Sequence, residues 1–337
     1  MKAIAPGKLI LSGEHAVVYG RPALAMAIDR SAVVEIREGP PGDETVGIEL
    51  SDLHECESYT LLALRDFRRR VLRNYQLFLE GRLTIRQVLR KPIELFQYAF
   101  IIVLDGLHLK LQRRLHFRLR SNIPIGCGLG SSAATILSML RAIGHYFRVE
   151  FRPDWYYQYS LEVERLQHGF PSGVDSYISL HGGCARFQQG QVERIPLPKI
   201  PMVLVNTGQP VTTTGECVAE IRRRHGDASL LWDDFSEVTT RMESALRGNH
   251  PDKFCQAVRD NHALLCRIGV VPRRVAQFVA AVEQRGGAAK VCGAGAVGGD
   301  SAGMVMVTGV PPPRDLCEAF GYSLVTVRGE PLGARVV

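Results

Sequence analysis

The stretch Ile123-Pro124-Ile125-Gly126-Cys127-Gly128-Leu129-Gly130-Ser131-Ser132-Ala133-Ala134 constrains this chain more than any other. Before it, Leu115 to Arg120 alternates apolar and polar residues, the period of a half-buried strand. After it, Ala133 to Phe147 is rich in Ala, Leu and Ile and has no internal Pro, which predicts a helix. A glycine-rich turn therefore joins a strand to a helix N-terminus. Its glycines let backbone approach a ligand closely, and the unpaired N–H groups of a first helical turn favour an anion such as phosphate. Ser131 and Ser132 add hydroxyls that can hold phosphate oxygens or a metal ion. The plainer alternative is an ordinary tight turn with a Ser as helix cap. No Gly-Lys-Ser or Gly-Lys-Thr closes the stretch, so it is not the P-loop pattern.

A chain of 337 residues has room for about two domains. Its 46% hydrophobic and 22% charged residues exclude large-scale disorder and predict a soluble globular protein. The longest strictly apolar run, Ala99 to Leu104, is far too short to cross a bilayer, and Met1 to Pro6 leads at once into motif-like sequence without a signal-peptide core. A cytoplasmic location is the default expectation. Eight cysteines show no Cys-x-x-Cys pair and no His at zinc-finger spacing, so they are read as reduced and mostly packed. The net charge of +7 is uneven: Arg65, Arg68, Arg69, Arg70, Arg73, Arg82, Arg86, Arg90 and Lys91 crowd one segment. A nucleic-acid surface would need stacking aromatics or a recognition motif beside that charge, and neither is there. The expectation is a solvated helix face that also attracts anionic substrates, with no nucleic-acid partner and no membrane.

In chain order, Lys2 to Gly20 reads as strand, turn, strand, with Lys8, Glu14 and His15 where turns meet strands. Residues 37–58 read as a turn and edge hairpin, and 59–105 as largely helical. Asp154 to Gln167 is a predicted helix ending at His168-Gly169 that presents Glu162 and Glu164. A turn from Phe170 then sets Asp175 eleven residues beyond Glu164. Two such carboxylates are either a site or simply two surface acids. Polar residues and prolines from Gln188 to Lys199 mark a boundary, giving domains 1–195 and 196–337. Beyond it, Thr212, Thr213 and Thr214 precede a predicted helix. Apolar residues recur on three helix faces: Leu231, Phe235, Val238, Met242 and Ala245; Phe254, Val258 and Leu265; and Val275, Phe278, Val279 and Val282. Strands Ala289 to Cys292, Met304 to Val307 and Leu324 to Val327, with a helix near Arg314 to Phe320, predict an α+β layer of ferredoxin-like kind.

Three segments in one order, Pro6-Gly7-Lys8 to Ala25, Pro124 to Ala134 and Lys290 to Gly303, with Pro171-Ser172-Gly173-Val174-Asp175 between the last two, resemble the GHMP kinases. The resemblance spans nearly the whole chain. Gly13-Glu14-His15 continuing as Ala16-Val17-Val18-Tyr19-Gly20-Arg21-Pro22-Ala23-Leu24-Ala25 is most similar to the mevalonate-kinase branch; galactokinases follow the His with Thr-Asp.

The resemblance implies an α+β fold of two domains, an N-terminal one like ribosomal protein S5 domain 2 and a C-terminal ferredoxin-like one, with the site between them. It implies ATP and Mg²⁺ as cofactors, with mevalonate as the small-molecule acceptor phosphorylated at its hydroxyl. It leaves a homodimer open. Pro124, Gly126, Gly128, Leu129, Gly130, Ser131 and Ser132, with Gly293 and Gly295, match the nucleotide-binding positions. Ser132 and Glu164 match the metal positions, Asp175 and Lys8 the catalytic ones, and Glu14, His15 and Thr213 the substrate side. Those roles suit phosphoryl transfer, which needs a neutralised triphosphate and a prepared hydroxyl. The chain departs from the family at Ala296, Val297 and Asp300 in the third segment and at Phe170. Other acceptors, namely another hydroxy acid, a sugar or phosphomevalonate, are the alternatives within the family. A non-catalytic binding relative is the alternative outside it, and retention of Lys8, Ser132, Glu164 and Asp175 together argues against that.

Overall fold

A computed structural model describes residues 1–149, 152–226 and 230–337 of the chain. Among the described residues the strands form two sheets. The first is organised by β1 (Lys2–Ser12) and β2 (Ala23–Pro41), long antiparallel partners with Lys8 opposite Ala27. Beyond β2 the sheet continues through β3 (Thr45–Leu50), β4 (Glu55–Thr60) and β5 (Arg113–Ser121). β5 pairs β2 antiparallel, β3 pairs β5 in parallel, and β4 closes the edge hairpin with β3. Parallel neighbours need a long crossover. Here the chain crosses through β4, α1 (Leu61–Leu79) and α2 (Ile93–Gly106).

The helices that follow are α3 (Ser131–Tyr146), α4 (Pro153–His168) and α5 (Val174–His181). α2 is buried from Ile93 to Leu104, so it runs through the core rather than over it. α3 packs on β1 and β2, with α2, α4 and α5 around it. Two strands, β6 (Cys184–Gln188) and β7 (Gln191–Ile195), form a hairpin on the start of β2.

The second sheet has the order β11-β8-β10-β9 and is antiparallel throughout, built from β8 (Met202–Asn206), β9 (Ala288–Val291), β10 (Met304–Thr308) and β11 (Ser323–Thr326). Its helices are α6 (Thr214–His225), α7 (Leu231–Arg247), α8 (Pro251–Arg267), α9 (Arg273–Gln284) and α10 (Arg314–Phe320). The three apolar faces read from the sequence are buried here residue for residue, from Leu231 to Ala245, Phe254 to Leu265 and Val275 to Val282. The chain's last strand, β12 (Arg335–Val336), returns to the first sheet and pairs with β1. Antiparallel pairing dominates both sheets, as the α+β expectation requires. No helix among the described residues is long and apolar enough to cross a membrane.

Two local expectations change. The serine cap of the plainer alternative is absent: Gly130 caps α3 in the left-handed conformation, and Ser131 is the first helical residue. The arginine face is not merely solvated either. Arg65 and Arg68 both pair with Asp105, and Arg70 pairs with the buried Glu94, so α1 is fastened to α2 by charge.

Candidate active site

Lys8 comes from the middle of β1 and is 3% exposed. An amine is buried only when partners meet it. Its Nζ donates to the carbonyl of Gly128 at 3.0 Å and lies 3.2 Å from Asp175 Oδ1. Its backbone N–H donates to Leu129 O at 2.9 Å, so both its main chain and its side chain fix the glycine-rich loop against the sheet. Asp175 stands in the first turn of α5, where the helix dipole favours a carboxylate, and its side chain is 31% exposed. Lys8 is thus the buried member of the pair and Asp175 the accessible one.

The loop from Pro124 to Gly130 turns at three glycines, Gly126, Gly128 and Gly130, whose conformations other residues rarely adopt. Gly128 has φ +82° and a Cβ there would lie 2.8 Å from Cys292 O; Gly130 has φ +70° and a Cβ there would lie 2.8 Å from Lys8 Cγ. Among the described residues, no backbone N–H from Gly128 to Ala133 donates a hydrogen bond, although buried amides are normally paired. A run of unpaired donors at a helix N-terminus, beside a buried ammonium, is an anion cradle.

Glu164, on α4, is 3% exposed and accepts a hydrogen bond from Ser132 Oγ at 2.6 Å. Burial pushes its carboxyl above the usual range, and the charge of Asp175 adds to that; His168, Ser132 and Lys8 pull the other way. His168 Nε2 sits 3.3 Å from Ser132 Oγ and 3.9 Å from Glu164 Oε1. Ser132 and Glu164 are both hard oxygen donors, and they stand in hydrogen-bond contact beside the loop, so the pair fits Mg²⁺. Among the described residues no group of three or more His, Cys, Asp or Glu gathers as a metal cage.

Glu14 and His15 follow β1, and both are buried. Glu14 pairs with Lys290 of β9, itself fully buried, while its second carboxylate oxygen has no partner. His15 adopts φ 60° and its Nε2 contacts Ala294 O at 2.9 Å; burial lowers its pKa to about 4, so the ring is neutral near pH 7. Both residues therefore lock the first segment to the third. In that third segment a Cβ at Gly293 would lie 3.2 Å from Gly128 Cα, so it abuts the loop, and Gly295 packs against Val270. The departure at Ala296 is absorbed by packing: its methyl is buried and its N–H donates to Val270 O at 2.9 Å. Asp300 is exposed.

The structure therefore brings Lys8, Gly128, Gly130, Ser132, Glu164 and Asp175 together and ties Glu14 and His15 to the third segment. Thr213 is placed otherwise. It caps α6, its hydroxyl accepting from Glu216 N–H and donating to Glu216 Oε2 in a capping box. Sequence reasoning missed His168 and Lys290. His168 stands four residues after Glu164, one helical turn, and that spacing is the signal that could have found it.

Gly128→Val is expected to weaken nucleotide binding strongly while leaving acceptor affinity nearly unchanged, because a branched side chain would strike Cys292 O and open the cradle. Equilibrium titration with an ATP analogue checks this; an unchanged affinity would remove the loop from the phosphate site.

Known proteins resemble this chain along most of its length. A family model for the N-terminal domain of GHMP kinases matches residues 94–183, which include the loop, Glu164 and Asp175. The chain is 30% identical over 312 residues to the mevalonate kinase of Pyrococcus furiosus, covering 88% of this chain and 86% of that one. It is 29% identical over 309 residues to the mevalonate kinase of Thermococcus sibiricus, again covering 88% of this chain and 86% of the relative. The crystal structure of the Methanococcus jannaschii mevalonate kinase shares the fold, with a TM-score of 0.78 over 98% of both chains at 22% identity.

Proposed function

We propose that this chain, which belongs to the GHMP kinase family, transfers the γ-phosphoryl group of ATP to the primary hydroxyl of mevalonate, giving 5-phosphomevalonate. The observation that carries the reading is the cradle itself, unpaired amides from Gly128 to Ala133 closed on one side by the buried Lys8 and its accessible partner Asp175. The acceptor is taken from relatives that match along most of the chain and are named mevalonate kinases.

The loop amides and the start of α3 hold the triphosphate, with Pro124, Gly126, Leu129, Ser131, Gly293 and Gly295 shaping its walls. Asp175, the exposed partner of the pair, accepts the proton of the attacking hydroxyl. Lys8 holds Asp175 in place and stabilises negative charge on the phosphoryl group in flight. Ser132 and Glu164 would hold Mg²⁺, which when bound neutralises charge on the phosphates. Glu14 and His15 belong to the acceptor side in this reading, Glu14 through its unpaired oxygen, whereas the Thr213 hydroxyl is engaged in the α6 capping box. The division of the chain is placed at 195/196, between the last hairpin of the first sheet and the first strand of the second. All eight cysteines are free, in keeping with a reducing cytoplasm.

Glu164→Gln keeps size and one acceptor oxygen but removes charge. It is expected to raise the Mg²⁺ concentration needed for half-maximal rate by ~10-fold or more, with excess Mg²⁺ or Mn²⁺ recovering part of the activity. A metal titration of the rate checks this, and an unaltered Mg²⁺ requirement would take Glu164 out of the metal site. For the reaction as a whole, the test is mevalonate-dependent ADP release matched mole for mole by a mevalonate phosphomonoester in the mass spectrum. ADP release no faster than without acceptor would sink the assignment.

A further inference from the structure

We propose that the cleft between α1 and the turn at residues 83–90 is a second anion site, built for a small polyphosphate and separate from the glycine-rich loop. The cleft encloses about 820 Å³ and five arginines line it, Arg69, Arg70 and Arg73 from α1 and Arg86 and Arg90 from the facing turn. Arg69 and Arg73 are one helical turn apart on α1, and Arg86 and Arg90 line the facing turn, so like charges face the same space, an arrangement that destabilises a protein unless something answers it. The answer within the chain is partial. Arg69 pairs with Asp66, Arg70 with Glu94 and Arg86 with Glu216. Arg73 and Arg90 make no ion pair or side-chain hydrogen bond among the described residues. Arg70 Nη1 is sealed from water with no partner, while its guanidinium is held 5.2 Å from the Phe67 ring and 2.7 Å from Glu94. Five guanidinium groups against three carboxylates leave an excess of two positive charges inside one concavity.

The two walls are fixed relative to each other, since Asn74 Nδ2 donates to the carbonyls of Gln87 and Val88, both at 3.4 Å. Guanidinium forks on two opposed, braced walls suit an anion with several oxygens on more than one centre, which is a diphosphate or triphosphate rather than a lone carboxylate. Among the described residues no aromatic ring lines the cleft, so a nucleobase has nothing to stack on, which argues against an RNA strand. Arg86 also donates to Val211 O at 3.3 Å as well as to Glu216, so an anion in the cleft competes for the residue that joins α1's neighbourhood to the start of α6.

The test is calorimetric titration of inorganic pyrophosphate into the full chain, in EDTA and at about 0.15 M salt so that diffuse attraction is screened. The wild type should bind, and Arg73→Gln/Arg90→Gln should bind at least ~10-fold more weakly with unchanged melting and unchanged KM for ATP, because both side chains are exposed and neither touches the loop. Equal affinity in the wild type and the double variant would place all the pyrophosphate in the glycine-rich loop and overturn the proposal, as would no binding at all. An RNA oligonucleotide that displaces pyrophosphate and depends on the same arginines would overturn it in favour of a nucleic-acid surface. The titration needs no turnover, so it stands or fails apart from the phosphoryl-transfer reading.

Discussion

With Asp175 replaced by Asn, kcat is expected to fall by at least ~100-fold while ATP and acceptor binding stay within a few fold. Asn keeps the volume and one acceptor oxygen but cannot take a proton. A hundredfold corresponds to about 2.7 kcal/mol of lost transition-state stabilisation, the lower end of what a positioned base supplies. The fold should survive, because Asp175 is partly exposed in the first turn of α5 and Asn keeps an oxygen that the Lys8 ammonium can donate to. Added metal should not restore the rate. That separates Asp175 from Glu164, whose glutamine variant should respond to metal. If instead metal rescues Asp175→Asn and not Glu164→Gln, the two carboxylates have exchanged roles.

Lys8→Met should lower kcat by ~10³-fold, the scale of losing a preorganised charge at a developing anion. Met matches the length and apolar stem of Lys in a site that is 3% exposed, so the strand and its packing on β2 remain. The change leaves Gly128 O without its donor and Asp175 without its cation. Stopped-flow or steady-state kinetics reads the rate, and a melting curve reads the fold. Loss of cooperative melting would show that Lys8 holds the structure together rather than the reaction.

Most of this site is legible in the sequence because its parts are local motifs. A glycine-rich turn between an alternating strand and an Ala-rich helix carries its own conformational reason, and the cradle lies where that reason puts it. The helix faces of α7, α8 and α9 can likewise be counted from periodicity alone. What escapes such counting are contacts across long separations. Lys290 meets Glu14 over 276 residues, and nothing periodic in Ala288 to Val291 says that the one charge in a wholly buried strand is answered from β1's far end. The arginine run reads as a solvated face because two of its partners, Glu94 and Asp105, lie on a helix otherwise apolar enough to be buried. Thr213 shows the reverse case: Thr213-x-x-Glu216 is a capping box written in the sequence, and that local role accounts for its hydroxyl without a ligand.

The measurement that bears most directly on the central claim is a coupled ADP-release assay with saturating ATP and Mg²⁺ across four acceptors: mevalonate, phosphomevalonate, galactose and homoserine. The structure and its relatives lead to the expectation that kcat/KM for mevalonate exceeds each of the others by at least ~100-fold, the discrimination that a site with buried polar groups enforces against a poorly fitting acceptor. A higher kcat/KM for any of the other three, or no acceptor-dependent ADP release at all, would contradict it.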